Sequence, residues 1–579
     1  MFYYISKTVI NTLRIQKEVI TIIKNILISG AAGQGIDTVA GILEEGLFKA
    51  GFHVFSNKDY MSRVRGGNNF IQIRFASEEV YSHSNNFDYI IPLDTLAYNE
   101  NKNLLDETSF IMDLSLKTED HENILAEDFK MMAKESGNEK AITSSIIGYL
   151  WKRYGLDFEI LEEIINNTFS EKLATINISA CKKGFESTLV ENQIQSKGTS
   201  KDYIFINGNQ AIAFGALMAG CKFYSAYPMT PSTSVMNELA LYSEKYPIIV
   251  EQAEDEIAAI NMAIGASFAG VRSMTGSSGG GFSLMVEGLG LAGISETPLV
   301  IVDSQRPGPA TGFATRTAQG DLSFILTASQ GEFPRVILAP KDPEDCFKLS
   351  FKAFDISEKY QVPVFIMTDQ YLSDARKTIE AFEQDDFSNK SYYAELNNVP
   401  GYNYERYKLT ESGISPRIYP GQYSNQIILQ DSYEHDEKGH DTESSFYGKE
   451  MMEKRMKKLN NFEEDIMEPE IIGIPYSEIM VVSWGSTYGS LKESIKKLND
   501  EDINIFALHF NYICPLPQKH LEKFCGRVKK VITVEHNYTG QLAKLIKQET
   551  GISVTDKITR YDGRQMSPEE IYTRLKEVL

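Results

Sequence analysis

The stretch Glu251-Gln-Ala-Glu254-Asp255-Glu256 carries four carboxylates and runs into Ile257-Ala-Ala-Ile-Asn-Met-Ala-Ile-Gly-Ala, a helix of small and apolar residues. Acids in a first turn complement the helix dipole, which is reason enough for Glu254 and Asp255. Glu256 differs because it heads a helix that must pack closely, so its carboxylate is partly desolvated and suited to proton sharing. Three other segments place reactive groups after apolar runs. Tyr227-Pro228-Met229-Thr230-Pro231-Ser232-Thr233 sets a hydroxyl between two prolines, which fix their own φ and restrict the residues before them. A stiff loop presenting Thr230 and an ST-turn or cap starting at Ser232 both fit. Met274-Thr275-Gly276-Ser277-Ser278-Gly279-Gly280-Gly281 lets another group approach the backbone, or is a flexible turn. Arg306, in Asp303-Ser-Gln-Arg306-Pro-Gly-Pro309, is a bidentate partner for a substrate carboxylate or one half of a surface ion pair.

A weaker anion site is the turn Gly30-Ala-Ala-Gly33-Gln-Gly35, whose N–H groups would stand at a helix N-terminus. Its spacing is G-x-x-G-x-G instead of the dinucleotide G-x-G-x-x-G, and no Lys-Ser/Thr follows. Arg63 and Arg65 could add charge there or belong to a solvated turn. His435 and His440 flank acids, but with no third spaced ligand a solvated or subunit-contact role is favoured over a metal. Glu535-His536-Asn537 follows a strand and is equally compatible with an interface and with structure.

The elements that must position these groups alternate strand and helix. Asn25–Ser29, the glycine turn and helical spacing over Ile36–Ala50 open a βα unit. Strand-like runs at His53–Ser56, Phe70–Phe75, Tyr89–Pro92 and Ser109–Leu114, with helices near Ser144–Tyr154 and Glu159–Thr168, complete one α/β domain over 25–195. A polar linker follows at 196–202. From Tyr203, apolar strands at Phe223–Ala226, Ile248–Val250, Arg272–Thr275, Leu299–Val302, Val336–Leu338 and Val364–Met367 predict a doubly wound parallel sheet, because most are apolar over successive residues as doubly covered strands are. Thr230, Gly279 and Arg306 then lie at carboxyl ends of strands, where such sheets bind ligands. Between about 383 and 465 the periodicity fails, and nine tyrosines occur between Tyr392 and Tyr447. Tyrosine gives contact area at low entropic cost, so an arm laid over another surface is expected. A third α/β unit spans 472–579.

Composition narrows the class. The 579 residues, 42% hydrophobic and 24% charged, suit several folded domains and exclude wholesale disorder. The balance of 58 basic against 79 acidic residues, −21 net, argues against nucleic acid as a partner. The five cysteines, at 181, 221, 346, 514 and 525, contain no CxxC pair, which leaves no thiolate set for zinc or an iron–sulfur cluster. Unpaired thiols suit a reducing cytoplasm. In the apolar stretch 1–24, charges at Lys7, Arg14, Lys17, Glu18 and Lys24 break any membrane span, and no signal-peptide cleavage site follows; a short extension is expected.

Together, YPMTPST, VEQAEDEIAAINMAIGASFAG, RSMTGSSGGG and VDSQRPGPATG, in that order, resemble the alpha subunit of 2-oxoacid:ferredoxin oxidoreductases, thiamine-diphosphate enzymes that use coenzyme A. The resemblance covers nearly the whole chain. It implies a Rossmann-like gamma domain at 25–195 fused before a pyrimidine-binding domain at 203–385, a Tyr-rich arm at 386–471 and a transketolase C-terminal-like domain at 472–579. In the arm, Arg406 to Pro416 and Glu434 to His440 look like what the family carries there.

The resemblance further implies roles. Glu256 matches the glutamate that hydrogen-bonds the cofactor's aminopyrimidine ring, with Tyr227, Pro228 and Gly279 also against the cofactor. Thr230 and Arg306 match the residues that hold the substrate's carbonyl and carboxylate. Coenzyme A would take the acyl group, with Gly30, Gly33, Gly35, Arg63 and Arg65 as its candidate surface. The chain has no GDG…NN signature for Mg²⁺ and no cluster cysteines, so Mg²⁺, the [4Fe–4S] cluster and ferredoxin docking are assigned to a beta subunit. The implied reaction is oxidative decarboxylation of a 2-oxoacid, 2-oxoglutarate or a broad range, to acyl-CoA. A non-oxidative thiamine-diphosphate decarboxylase component and a non-catalytic scaffold subunit are the alternatives.

Overall fold

The computed structural model describes residues 23–61, 66–191, 193–196, 198, 202–383, 387–395 and 403–579. Arg63, Arg65 and residues 1–22 of the N-terminal extension lie outside them. The described residues form three sheets, of eight, seven and five strands.

The first sheet is built around Lys24–Ala32, which pairs parallel to Tyr89–Pro92 and antiparallel to Gly66–Ala76. Ile26 and Ile28 are fully buried on a face covered by Ile36–Lys49, Ile142–Arg153 and Phe158–Thr168, where Trp151 and Ile164 fill the core. On its far side the sheet departs from the sequence reading. Tyr203–Asn207, expected to open the second unit, pairs antiparallel with Arg376–Glu380, and Arg376 and Lys377 pair with Ser56 and Phe55 of His53–Asp59. Both ends of the second unit therefore complete the first sheet. The strand Arg376–Glu380 is mixed in polarity, so no apolar run announces it. Its place is fixed by partners: Thr378 Oγ1 accepts from the Val54 N–H at 2.9 Å, and Arg376 pairs with buried Glu44 at 2.7 Å.

The second sheet runs Val336–Leu338, Pro363–Asp369, Leu299–Gln305, Ser273–Ser277, Phe223–Ala226, Ile249–Gln252, all parallel, with Tyr512–Cys514 of the third unit added antiparallel at one edge. It is doubly wound, and separate apolar cores cover its two faces. Backbone contact is close: a β-carbon on Gly215 would lie 2.4 Å from the Phe347 carbonyl oxygen, which seats the helix Gly208–Met218 against Pro343–Tyr360. The third sheet orders Glu470–Gly473, Phe506–Phe510, Ile479–Trp484, Lys530–Glu535 and Asp556–Thr559.

The tyrosine-rich segment packs over the second unit. Tyr404 and Tyr407 are buried, and Arg406 donates to Gln361 Oε1 at 2.9 Å and to the Glu296 carbonyl at 2.8 Å. The segment also holds a helix, Ser445–Lys457, that the lack of periodicity concealed. Lys454 and Lys458, both buried, close on the Glu296 carboxylate at 2.5 Å each. His435 and His440 have different surroundings. The His435 ring is buried 3.9 Å from the Tyr407 ring, while His440 is exposed beside Asp436. Among the described residues no group of three or more His, Cys, Asp or Glu could hold a metal.

Candidate active site

Glu256 opens the helix Glu256–Phe268, directly after the strand Ile249–Gln252 and its short turn. Asp255 is the cap, accepting from the Ala258 N–H at 2.8 Å, and Glu254 is exposed, so these two acids need no further role. Glu256 is 4% exposed, and no hydrogen bond among the described residues engages its carboxylate. The reason it fits is on the next strand–helix loop: a β-carbon on Gly281 would lie 2.4 Å from Glu256 Oε1 and 2.1 Å from Ser277 Oγ. The glycine tract is thus a seat for this carboxylate more than a flexible turn.

Thr230 and Arg306 come from different strand ends and meet. Arg306, following Leu299–Gln305, donates through Nη1 to the Thr230 carbonyl at 2.8 Å. That bond uses one corner of the guanidinium fork, and no salt bridge among the described residues occupies the rest. Burial lowers the Arg306 pKa, against the opposing pull of Asp321; an arginine keeps its charge through such a shift. A cavity of about 460 Å³ opens over Arg306, lined also by Met229, Ser278, Gly279, Gly280, Ser283 and Asp321. Pro228 and Thr230 are half-buried beside it and Tyr227 is 40% exposed.

Two acids that the sequence reading passed over matter here: Asp321 lines this cavity, and Asp303 is buried in the strand beneath it. Gly279 faces a carboxylate of the chain itself: a β-carbon there would lie 2.4 Å from Asp321 Oδ2. Asp321 takes its place because its N–H donates to Gln305 Oε1 at 3.0 Å, while Gln305 Nε2 donates to the Thr368 carbonyl at 3.0 Å. Burial pushes Asp321 up to about 6, against the Gly279 N–H and Arg306, which favour its charged form. Asp303, fully buried on the strand Leu299–Gln305 that precedes Arg306, is held well above the usual carboxylate range, by burial and then by the charge of Asp321. Asp303 stood in the VDSQR motif, and a charged residue in a doubly covered strand was the available signal.

The Gly30–Gly35 turn is separate. Gly33 and Gly35 have φ of 94° and 80° and line a cavity of about 490 Å³ with Asn138, Lys140 and Asp113. Asp94 Oδ2 already accepts the Ala31 N–H at 2.9 Å and the Gln34 side chain caps the same donor at 3.0 Å, so the turn partly satisfies itself.

The arrangement puts a buried carboxylate, a hydroxyl-bearing loop and an arginine at the carboxyl ends of one parallel sheet. Comparison with known proteins gives it a context. The family model of pyruvate flavodoxin/ferredoxin oxidoreductase, thiamine-diphosphate-binding, matches residues 214–455. Pyruvate ferredoxin/flavodoxin oxidoreductase matches 25–187, and pyruvate:ferredoxin oxidoreductase core domain II matches 477–571. A 2-oxoacid:ferredoxin oxidoreductase subunit alpha from Sulfolobus is 33% identical over 96% of both chains. The 2-oxoglutarate synthase subunit KorA of Methanothermobacter marburgensis is 30% identical over 64% of this chain and 98% of its own. The solved 2-oxoglutarate:ferredoxin oxidoreductase of Magnetococcus marinus, with 2-oxoglutarate, coenzyme A and succinyl-CoA bound, superposes with a TM-score of 0.89 at 31% identity, over 96% of this chain and 99% of that one. The chain, with its fused N-terminal unit, its thiamine-diphosphate-binding domain and its strand-end arginine, belongs to the alpha subunits of the 2-oxoacid:ferredoxin oxidoreductases, enzymes that oxidise an oxo group with an iron–sulfur protein as acceptor.

Proposed function

We propose that this chain supplies the pyrimidine side of a thiamine-diphosphate site and the head-group clamp for a 2-oxoacid, with Glu256, Thr230 and Arg306 as the working residues. The observation that carries the reading is the buried Glu256 carboxylate, seated on Gly281 and unengaged by the described residues. A carboxylate so placed suits one hydrogen bond to an aromatic ring nitrogen, and the orphaned, buried hydroxyls of Ser277 and Ser278 beside it suit a polar heterocycle. When bound, thiamine diphosphate supplies a carbon nucleophile and an electron sink for a decarboxylation. Glu256 would hold the proton at its carboxylate that sets the ring's tautomer. Arg306, anchored on the Thr230 carbonyl, would orient the 2-oxoacid by its carboxylate, and the Thr230 hydroxyl would meet the carbonyl side. Tyr227, Pro228 and Gly279 would complete the cofactor wall, Gly279 chiefly by admitting Asp321.

The site is shared. Ile249, Ile257, Met262 and Leu284 are 64%, 48%, 41% and 51% exposed on the elements that carry or adjoin Glu256 and the glycine tract. Apolar residues of this size clustered at a catalytic mouth support coverage by another subunit. We assign the Mg²⁺ and diphosphate site, the [4Fe–4S] cluster and the ferredoxin contact to that beta subunit. The substrate is 2-oxoglutarate or a broad range of 2-oxoacids, with coenzyme A as acyl acceptor in a cytoplasmic complex. Coenzyme A would meet this chain at Gly30, Gly33 and Gly35 with Arg63 and Arg65; the cavity over the turn supports this, and Asp94 and Asp113 weigh against it. The division into units at 25–195, 203–385 and 472–579 would follow these tasks, with Tyr203–Asn207 and Arg376–Glu380 of the second unit lent to the sheet of the first.

The test is reduction of a low-potential dye by the complex copurified with its natural partner, across a panel of 2-oxoacids with and without coenzyme A. Dye reduction that needs both supports the reading. Carbon dioxide release without dye reduction would replace it with a non-oxidative decarboxylase.

A further inference from the structure

Arg306 is the cavity's cation, yet the nearest charged wall facing it is acidic. Asp321 lines the same cavity, and its Oδ2 has no hydrogen-bond partner among the described residues. Behind it Asp303, 0% exposed, has neither carboxyl oxygen partnered. Carboxyl oxygens left without donors in a buried site are costly, and two carboxyls that face each other remove the cost by sharing a proton. The register supports the facing arrangement. Asp303 is the parallel neighbour of Ser277 and Met367, and its alternation along the strand matches Leu299 and Ile301, which belong to the core under the helix Gly279–Ile294. Asp321 reaches that same helix end at Gly279.

An anionic substrate entering this cavity meets Arg306 and Asp321 together. Coulomb repulsion from an ionised Asp321 would cancel much of the arginine's attraction, whereas a protonated Asp321 leaves the arginine unopposed and offers an O–H donor.

We propose that Asp321, backed by Asp303, takes up one proton from solvent when a 2-oxoacid carboxylate seats against Arg306, making substrate capture by this chain proton-coupled. The inference rests on Arg306 being the carboxylate's partner. The step balances simply: Asp321 carboxylate plus a proton gives the acid on binding, and the proton returns to solvent when the carboxylate leaves the cavity. Asp303 stays neutral throughout and acts as a positioning residue. The charged group that faces the pair is Arg306 on the loop after Leu299–Gln305; Glu256 sits two residues along the glycine tract, at Gly281, the helix Gly279–Ile294 contributes the Gly279 N–H, and Gln541, bonded to the Gly320 carbonyl, is neutral. With Asp321 pushed up to about 6, most of it is ionised near neutral pH, so uptake is measurable there.

The experiment is the pH profile of kcat/KM for 2-oxoglutarate at saturating coenzyme A in the complex with its natural partner. Wild type is expected to lose about tenfold per pH unit on the alkaline side. Asp321→Asn, a neutral isostere, is expected to flatten that limb, and Asp303→Asn to keep it. A slope retained in Asp321→Asn, or absent in wild type, overturns the proposal, as does a limb lost only in Asp303→Asn. Should Asp321→Asn not fold, calorimetric titration of wild-type complex with 2-oxoglutarate in two buffers of different ionisation heat decides. Uptake of about one proton supports coupling, and none overturns it. Arg306→Gln separates the underlying reading: an unchanged KM in that variant removes Arg306 as the carboxylate's partner, whatever the pH profile shows.

Discussion

The Arg306 guanidinium donates to the backbone carbonyl of Thr230 at 2.8 Å, joining the loops after two parallel strands, Leu299–Gln305 and Phe223–Ala226, that are separated in the sheet by Ser273–Ser277. The guanidinium is therefore preorganised, and the clamp proposed for a substrate carboxylate would owe its geometry to a contact the substrate does not make. Arg306→Lys keeps the charge and loses the fork and this anchor. Hydrogen bonds to charged groups are worth about 1.5–3 kcal/mol, so KM for the 2-oxoacid should rise by about ten- to a hundredfold with a smaller change in kcat. Steady-state kinetics on the complex reads both; an unaltered KM would remove Arg306 from the clamp.

Glu256→Gln preserves size and hydrogen-bonding reach but cannot hold the proton. Turnover of the reconstituted complex should fall by about 10²- to 10⁴-fold. Near-normal turnover would leave the chain a scaffold. Stability should change little, since the buried carboxylate has no partner among the described residues to lose.

Gly281→Ala tests the seat of that carboxylate. The new β-carbon would lie 2.4 Å from Glu256 Oε1 and 2.1 Å from Ser277 Oγ, so both side chains must shift. A misplacement of about 1 Å can cost a hundredfold in rate. Loss of kcat with a nearly unchanged melting temperature is expected; equal losses of both would mark Gly281 as packing only.

Glu296 is compressed between Lys454 and Lys458, both buried, and their charges with that of Arg406 outweigh burial to hold its carboxyl far below the usual range. Glu296→Gln leaves two ammonium groups without a counter-charge and should destabilise the chain by about 3–5 kcal/mol. Replacing all three by apolar residues should cost far less. Urea midpoints of the two variants decide whether charge or packing fixes the arm.

His536 is buried, and its Nε2 accepts the Met566 N–H at 3.0 Å, which only an unprotonated nitrogen can do. Burial brings its pKa down to about 3. A group neutral in the native state but ionising near 6.5 when unfolded gives stability that is full above about pH 6.5 and is lost as pH falls below it. Relative to His536→Gln, which accepts but does not titrate, wild type should lose about 1.4 kcal/mol per pH unit below about 6.5. A constant difference between the two would show that the ring does not titrate with folding.

Much of this was legible in sequence where physics is local. Uninterrupted apolar runs at Leu299–Val302 and Val364–Met367 gave buried parallel strands, and the carboxyl-end rule then placed Thr230, Gly279 and Arg306 on one side of the sheet. Glu256 stood out because small residues behind it demanded close packing. Other features depend on distant partners. Arg376–Glu380 becomes a strand only against Tyr203–Asn207 and His53–Asp59, and Ser445–Lys457 can bury two cations of its helix because Lys454 pairs with Glu296 and Arg455 with Glu434, both outside the helix. Asp321 lay in an unremarkable loop sequence, and its importance arises from Gly279 and Gln305, more than ten residues away.

The seam between the first two units has a consequence for how such a chain can be divided. Tyr203–Asn207 and Arg376–Glu380 form a two-stranded tongue that closes the open edge at His53–Asp59 through only two register pairs. That strand joint does not act alone: Arg316 pairs with Asp59 at 2.6 Å, Arg74 with Glu493 at 2.8 Å, Lys377 with Glu79 at 2.7 Å, and Ser84 Oγ donates to Glu569 at 2.6 Å, so the first unit meets both of the others through side chains as well. A chain divided at 196–202 would therefore keep a joint of strand pairing and ion pairs already built into this edge, by which the two pieces can find each other again.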